Sequence, residues 1–237
     1  MKFSSLSFVI VKRIFLVLFI LLQGYLIFLK KHDSLDIDVT PNTNPSLNIY
    51  GQGNLGQTFI ARRNRLARID VMPGTHGRKN DKDIIFELRE IHPENKFITR
   101  TIFNASSVKN NLYYSFVFKP LKDSQRKTYY FLFQSPQSTP ENSICLWTNN
   151  RNIYKEGDFL FNHQSQSGDL IFRVYSRRPI FTELRRVVRN YSGIFGNVYF
   201  FLVAIAFFEV AQILMLSKLL DLIRHVLTEE PAKDESD

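Results

Sequence analysis

Two almost wholly apolar runs, Ile14 to Leu29 and Ile194 to Leu216, constrain this chain more than any other feature of it. About 20 apolar residues can cross the roughly 30 Å hydrocarbon core of a bilayer as a helix, which satisfies every backbone polar group within its own segment. The second run, IFGNVYFFLVAIAFFEVAQILML, reaches that length unaided and is closed by Lys218. The first is shorter, but Phe8 to Val11 can lengthen its helix beyond Lys12 and Arg13, whose aliphatic stems let the charges reach headgroups. No small-x-small cleavage site follows it; it ends in Lys30, Lys31 and His32, so a retained anchor is expected rather than a cleaved signal.

With no third apolar run between them, both termini are expected on one side of the membrane and the intervening domain on the other. The expected segments are a cytoplasmic stub and anchor over 1–31, a β domain over 32–178, a juxtamembrane amphipathic helix over 179–193, a second span over 194–217 and a cytoplasmic tail over 218–237. Basic residues flank both ends of both spans, so the positive-inside bias roughly cancels. Lys12 and Arg13 ahead of the first span put the termini in the cytoplasm and the β domain outside it. The ending TEEPAKDESD reads as a solvated tail. Cys145 is the only cysteine, so no intrachain disulfide forms; it is expected to be a buried small residue. An extracytoplasmic domain without disulfides leans toward a bacterial inner (plasma) membrane.

Between the spans, strand signals recur at short intervals. Gln57 to Ala61, Arg68 to Met72, Ile84 to Ile91, Phe97 to Phe103, Tyr113 to Phe118, Thr128 to Gln134, Ile144 to Thr148 and Leu170 to Tyr175 are rich in β-branched and aromatic residues and separated by turn-forming clusters. Without a helical period between them they predict an all-β, antiparallel β-sandwich of jelly-roll type flanked by two transmembrane helices. Alternation turns Tyr114, Phe116 and Phe118 one way and Tyr113, Ser115 and Val117 the other; Ile84, Phe86 and Leu88 face the core, Glu87 and Arg89 face out.

The net charge of +9 raises nucleic acid as a partner. Between Lys30 and Ser192 there are 25 Lys and Arg against 15 Asp and Glu, scattered over strands and turns except for Arg62, Arg63, Arg65 and Arg68 and the juxtamembrane set Arg177, Arg178, Arg185, Arg186 and Arg189. Anionic headgroups or an acidic glycan fit that pattern better than bases do, so the bilayer is the expected partner and nucleic acid is not. Pro179 can open a helix whose apolar Ile180, Leu184, Val187, Val188 and Tyr191 suit either the bilayer interface or packing on the sandwich. Inside the spans, Gln23, Glu209 and Gln212 are expensive in hydrocarbon and are expected to face protein. Glu209 is protonated or hydrogen-bonded to Gln212 and Gln23, or docks a partner subunit or serves a transport path.

No catalytic constellation is legible. His32, His76, His92, His163 and His225 lack metal-ligand spacing, and no G-x-S-x-G elbow, P-loop or HExxH is present, so neither metal nor cofactor is expected. Asp81 with Asp83 and Glu156 with Asp158 fall in turn-like segments. For a bound glycan the first candidate patch is Trp147 with Asn149, Asn150, Arg151 and Tyr154, since aromatic faces stack on sugars and amides bond hydroxyls; a lone strand Trp is also a packing residue.

GQTFIARRNRLARIDV, FVFKPLKDSQRKTYYFLFQSP, ENSICLWTNNRNIYKEGDF and GDLIFRVYSR resemble the β-sandwich domain attached to bacterial membrane glycosyltransferases and related polytopic envelope proteins, over Asn54 to Tyr175. The resemblance rests on a Gln-Thr-Phe strand, a Pro-x-x-Asp-Ser turn before a Tyr-x-Phe strand, and a closing Asp-Leu-x-Phe-x-x-Tyr strand. It implies an extracytoplasmic jelly roll near envelope-glycan synthesis, without catalysis of its own. Three readings follow: a non-enzymatic accessory protein binding glycan or a partner such as a membrane glycosyltransferase or exporter; a structural subunit docking through its transmembrane helices; and an enzyme with an unfamiliar site.

Overall fold

The structure is a computed structural model that describes residues 5–40, 44–92 and 95–228. Glu229 to Asp237, the greater part of the expected solvated tail, lie outside the described residues. The chain is β-rich, with antiparallel sheets between two long apolar helices. Its contacts divide it into two units, Met1–His32 with Pro179–Asp237, and Asp33–Arg178.

In the helical unit, α1 (Ser5–Gly24) runs into a π-helical turn (Tyr25–Leu29), closed where the Lys30 N–H donates to the Tyr25 carbonyl at 2.8 Å. After α2 (Ile180–Val188) and a 3₁₀ turn (Gly193–Gly196) comes α3 (Val198–Thr228). The apolar stretches Ser7–Leu29 and Val198–Val226 hold 23 and 29 residues. At 1.5 Å per residue they are about 35 and 44 Å long, enough to cross a bilayer core. Ile10, Leu21, Phe207 and Met215 are exposed, unlike the side chains of a soluble domain's core helix. Two contacts set α1 and α3 antiparallel: Lys12 Nζ meets Asp221 Oδ2 at 2.6 Å, and Gln23 Nε2 donates to Gln212 Oε1 at 2.9 Å.

The last helix departs from the expected boundaries at both ends. It begins at Val198 rather than Ile194 because Gly193 sits at φ +65° and a Cβ on Gly196 would lie 2.4 Å from the Tyr191 carbonyl; Asn197 Oδ1 then caps the helix by accepting from the Tyr199 N–H. It runs past Lys218 to Thr228, since no Gly or Pro interrupts the sequence before Pro231.

Fourteen strands run in chain order among the described residues: β1 (Lys31–Asp38), β2 (Asn44–Ile49), β3 (Asn54–Ile60), β4 (Leu66–Val71), β5 (Pro73–Gly74), β6 (Asp83–Glu90), β7 (Lys96–Asn104), β8 (Tyr114–Leu121), β9 (Thr128–Gln134), β10 (Ile144–Asn149), β11 (Phe159–Phe161), β12 (Gln164–Gln166), β13 (Asp169–Leu170) and β14 (Phe172–Pro179). They form sheets of order β1-β14-β4-β8, β13-β10-β2 with β5 on β10, and β12-β11-β3-β9-β6-β7. The last expected strand is split at Ile171, where the chain leaves β10 for β4. β1 escapes sequence detection because its sequence, KHDSLDID, is polar; Asp33, Asp36 and Asp38 are held by Arg177, Arg63 and Arg173 at 2.8, 3.1 and 3.0 Å.

One core draws on all three sheets, through Ile69 and Val174, Ile144 and Leu146, and Phe86, Phe131 and Phe133. The Phe86 and Phe116 rings stack at 3.9 Å, and each such buried side chain contributes about 2–3 kcal/mol. Ser115 and Val117 are exposed, as alternation requires. Glu87 lies on the outer face, as alternation requires, yet it is buried there, held by Arg89 at 2.8 Å and Arg100 at 3.6 Å.

Three buried polar groups tie the strands together. Gln57 Oε1 accepts from the Leu170 N–H at 3.0 Å and its Nε2 donates to Asp169 Oδ1 at 3.4 Å. Asp169 Oδ2 accepts from the N–H groups of Ile153 and Tyr154 at 2.7 and 2.9 Å. Ser124 Oγ accepts from the Leu66 N–H at 3.1 Å and donates to the Arg63 carbonyl at 2.8 Å. Asp169→Ala strands three donors and is expected to cost about 3 kcal/mol or more in denaturant unfolding of the detergent-solubilised chain, against less than about 0.5 kcal/mol for the exposed Asp123→Ala. A loss for Asp169→Ala no larger than that of Asp123→Ala would contradict this anchoring.

Candidate functional site

The register of the six-stranded sheet builds a face that no single strand reveals. In β9, Tyr129, Phe131 and Phe133 enter the core, so Tyr130, Leu132 and Gln134 stand on the outer side. On β6 their partners are Arg89, Glu87 and Ile85; on β3 they are Thr58, Gly56 and Asn54. Leu160 of β11 pairs with Gly56. Of these, Thr58, Glu87, Arg89, Tyr130, Leu132, Gln134 and Leu160 line a cleft of about 500 Å³, together with Ile91, Asn95 and His163.

Tyr130 is the unusual member. A Cβ on Gly56 would come 2.6 Å from the Tyr130 ring, so only glycine there leaves room for the ring. Tyr130 is 7% exposed, and its hydroxyl oxygen is buried with no hydrogen-bond partner. Burial pushes the phenol up to about 12, against the opposing pull of Arg89, so it remains a donor at neutral pH. Asn162 and His163 both adopt positive φ, 48° and 64°, in the two-residue turn between β11 and β12. Asn162 Oδ1 accepts from the Asn54 N–H at 2.9 Å, and His163 Nε2 lies 3.4 Å from Asn54 Nδ2.

The aromatic-amide patch expected around Trp147 is not brought together as a surface. Tyr154 is 4% exposed, its ring edge-on to Phe172 and its hydroxyl accepting from the Ile60 N–H at 3.0 Å, because Asp169 draws its backbone inward. Asn149 is buried and its Oδ1 accepts from the Arg151 N–H at 2.8 Å. Half-buried Trp147 donates its indole N–H to Asn111 Oδ1 at 2.6 Å; Asn150 and Arg151 are exposed. Cys145 is buried on the same strand face as Trp147, its Sγ 3.0 Å from His76 Nε2.

Within the helical unit, Gln23 and Gln212 bond one another, while Glu209 Oε2 is buried without a hydrogen-bond partner. The juxtamembrane arginines divide. Arg177 pairs with Asp33 and Arg178 donates to the Asn64 carbonyl, both inside the β unit. Arg186 pairs with Glu183 at 3.1 Å. Arg185 and Arg189 line a cavity of about 490 Å³ where α2 meets the turn before α3. The carboxylate pairs serve loops: Asp83 accepts from Asn104 Nδ2 at 3.1 Å and Glu156 pairs with Arg62 at 3.2 Å. Among the described residues no three His, Cys, Asp or Glu side chains are gathered where they could hold a metal.

No protein-family model matches this chain, and a search of curated proteins finds no significant match.

TYYFLFQ shows by alternation alone that Tyr130, Leu132 and Gln134 share a face; which residues of β3 and β6 flank them depends on long-range register. Tyr130→Phe removes the unpaired hydroxyl and keeps the ring. It is expected to leave unfolding free energy unchanged or raise it by about 1 kcal/mol, measured by urea titration; a loss of about 1 kcal/mol would mean the hydroxyl is bonded in the folded protein.

Proposed function

We propose that this chain is an integral protein of the bacterial inner (plasma) membrane, non-enzymatic, whose extracytoplasmic domain is a jelly-roll β-sandwich binding glycan during cell-envelope polysaccharide or glycolipid synthesis or export. The observation that carries the reading is the antiparallel pairing of two bilayer-length apolar helices at the two ends of a β domain. Such a pair supports a topology with both helices' outer ends on one side of a bilayer and the β domain on the other. A sandwich is supported by the single core shared among the three sheets. The residues behind the resemblance to glycosyltransferase-associated domains, Gln57, Ser124 and Asp169, are buried hydrogen-bonding anchors, so that resemblance bears on fold and carries no chemistry. A polytopic glycosyltransferase or exporter would supply the chemistry.

Glu209 favours a second reading, a structural subunit docking through its transmembrane helices, because an unpaired buried carboxylate oxygen in hydrocarbon invites a donor from a neighbouring helix.

Crosslinking in intact membranes followed by mass spectrometry tests both. Recovery of a polytopic glycan-synthesis or export protein is expected, and its absence contradicts the accessory role. Glu209→Leu is expected to reduce that recovery several-fold if the second reading holds; undiminished recovery retires it.

A further inference from the structure

We infer that the outer face of the six-stranded sheet is a saccharide cleft that takes a neutral pyranoside chain, with Tyr130 donating to a sugar hydroxyl. This rests on the glycan-binding reading and gives it a site and a ligand class.

The first support is the unpaired hydroxyl. A buried donor without an acceptor costs about 1–3 kcal/mol, a penalty that a ligand oxygen arriving in the cleft would relieve. Arg89 lies directly across the strand pair from Tyr130 and is only partly buried; access of a ligand oxygen to the hydroxyl requires its side chain to swing aside.

The second is the pattern of the lining. Leu132 and Leu160 offer an apolar floor to the C–H face of a sugar ring, while Gln134 and Glu87 lie within the same cleft to bond its hydroxyls. One strand beyond the lining, Phe97 is 53% exposed and pairs with Arg89, where its ring would stack on a sugar chain that extends past the cleft. A volume of about 500 Å³ falls within the range of about 300–1,000 Å³ usual for small-ligand sites.

The third is charge, which selects the class of sugar. Glu87 sits between Arg89 and Arg100 at 2.8 and 3.6 Å, so Arg89, which lines the cleft, and Arg100 on the neighbouring strand both already face a carboxylate. A phosphate or uronate would have to compete with Glu87 for them and would meet its negative charge. A neutral sugar needs no unpaired cation and uses the donors and acceptors that remain. A protein partner fits less well, since the face is a cleft of mixed polar and apolar lining where a docking surface would be flatter with a desolvated apolar centre.

The test uses the full-length chain in a detergent without a sugar headgroup, titrated calorimetrically with hexamers of β-1,4-glucan, α-1,4-glucan, β-1,4-xylan, β-1,4-mannan and β-1,4-linked N-acetylglucosamine, and with oligogalacturonate as the charged arm. At least one neutral hexamer is expected to bind with a Kd below about 1 mM, in the range of weak small-ligand affinity. Tyr130→Phe and Phe97→Ala are each expected to weaken it about fivefold to tenfold, the loss of one neutral hydrogen bond or one stacking contact, with no drop in melting temperature for Tyr130→Phe. Absence of binding by every neutral hexamer, binding by oligogalacturonate alone, or binding that survives both substitutions overturns the proposal. Crosslinking reads the membrane partner independently of the cleft, so a failed titration with a recovered glycan-synthesis protein removes the cleft and leaves the accessory role standing.

Discussion

The buried contact between Gln57 and Asp169 is the interaction on which most of the β unit depends. It joins β3, in the six-stranded sheet, to β13, in the sheet built on β10, with both side chains fully buried. An isolated carboxylate in such a place would be prohibitive; burial does raise the Asp169 pKa, and three N–H groups arranged around it work against that rise. The same carboxylate fixes Ile153 and Tyr154, which carries the Tyr154 hydroxyl to the backbone of Ile60. β3 is thus pinned from two directions. Gly56 immediately precedes the pinned Gln57, and its bare backbone leaves room for the Tyr130 ring in the cleft.

The helical unit obeys a different constraint. Most of its large apolar side chains are exposed, so the polar groups with few alternatives between the helices carry much of its internal order. The Gln23–Gln212 bond, Lys12–Asp221 and Arg224 over the Phe8 ring align α1 with α3 along their length. Side-chain hydrogen bonds between transmembrane helices average about 0.6 kcal/mol, which is enough to choose a register among near-equivalent apolar packings without dominating stability. Glu209, three residues before Gln212, has one oxygen that this pairing does not satisfy.

Much of this was legible in the sequence, for identifiable reasons. The eight β-branched and aromatic runs became strands because their alternation matches one buried face, as in Tyr114, Phe116 and Phe118. β1 was hidden because Asp33, Asp36 and Asp38 look like a solvated loop until their arginine partners, distant in sequence, are brought alongside. β11 and β12 are three residues each, too short for a periodic signal. The burial of Tyr154 and Asn149 in the patch around Trp147 was not legible, because aromatic and amide residues in a loop look alike whether they face solvent or a buried carboxylate; Asp169, fifteen residues after Tyr154, draws that residue inward. The cleft was invisible because its pattern runs across strands, from Arg89 through Tyr130 to Thr58, and register is not written in any one segment.

The central claim is that the β domain and the two chain ends lie on opposite sides of a bilayer. Because native Cys145 is buried, single cysteines introduced at exposed Ser115 in β8 and at Ser236 near the C-terminus can be labelled in intact cells with a membrane-impermeant maleimide against little background. Labelling of Ser115→Cys in intact cells, with Ser236→Cys labelled only after the membrane is opened, is the predicted result. Labelling of Ser236→Cys in intact cells with Ser115→Cys protected, or equal accessibility of both, would contradict it.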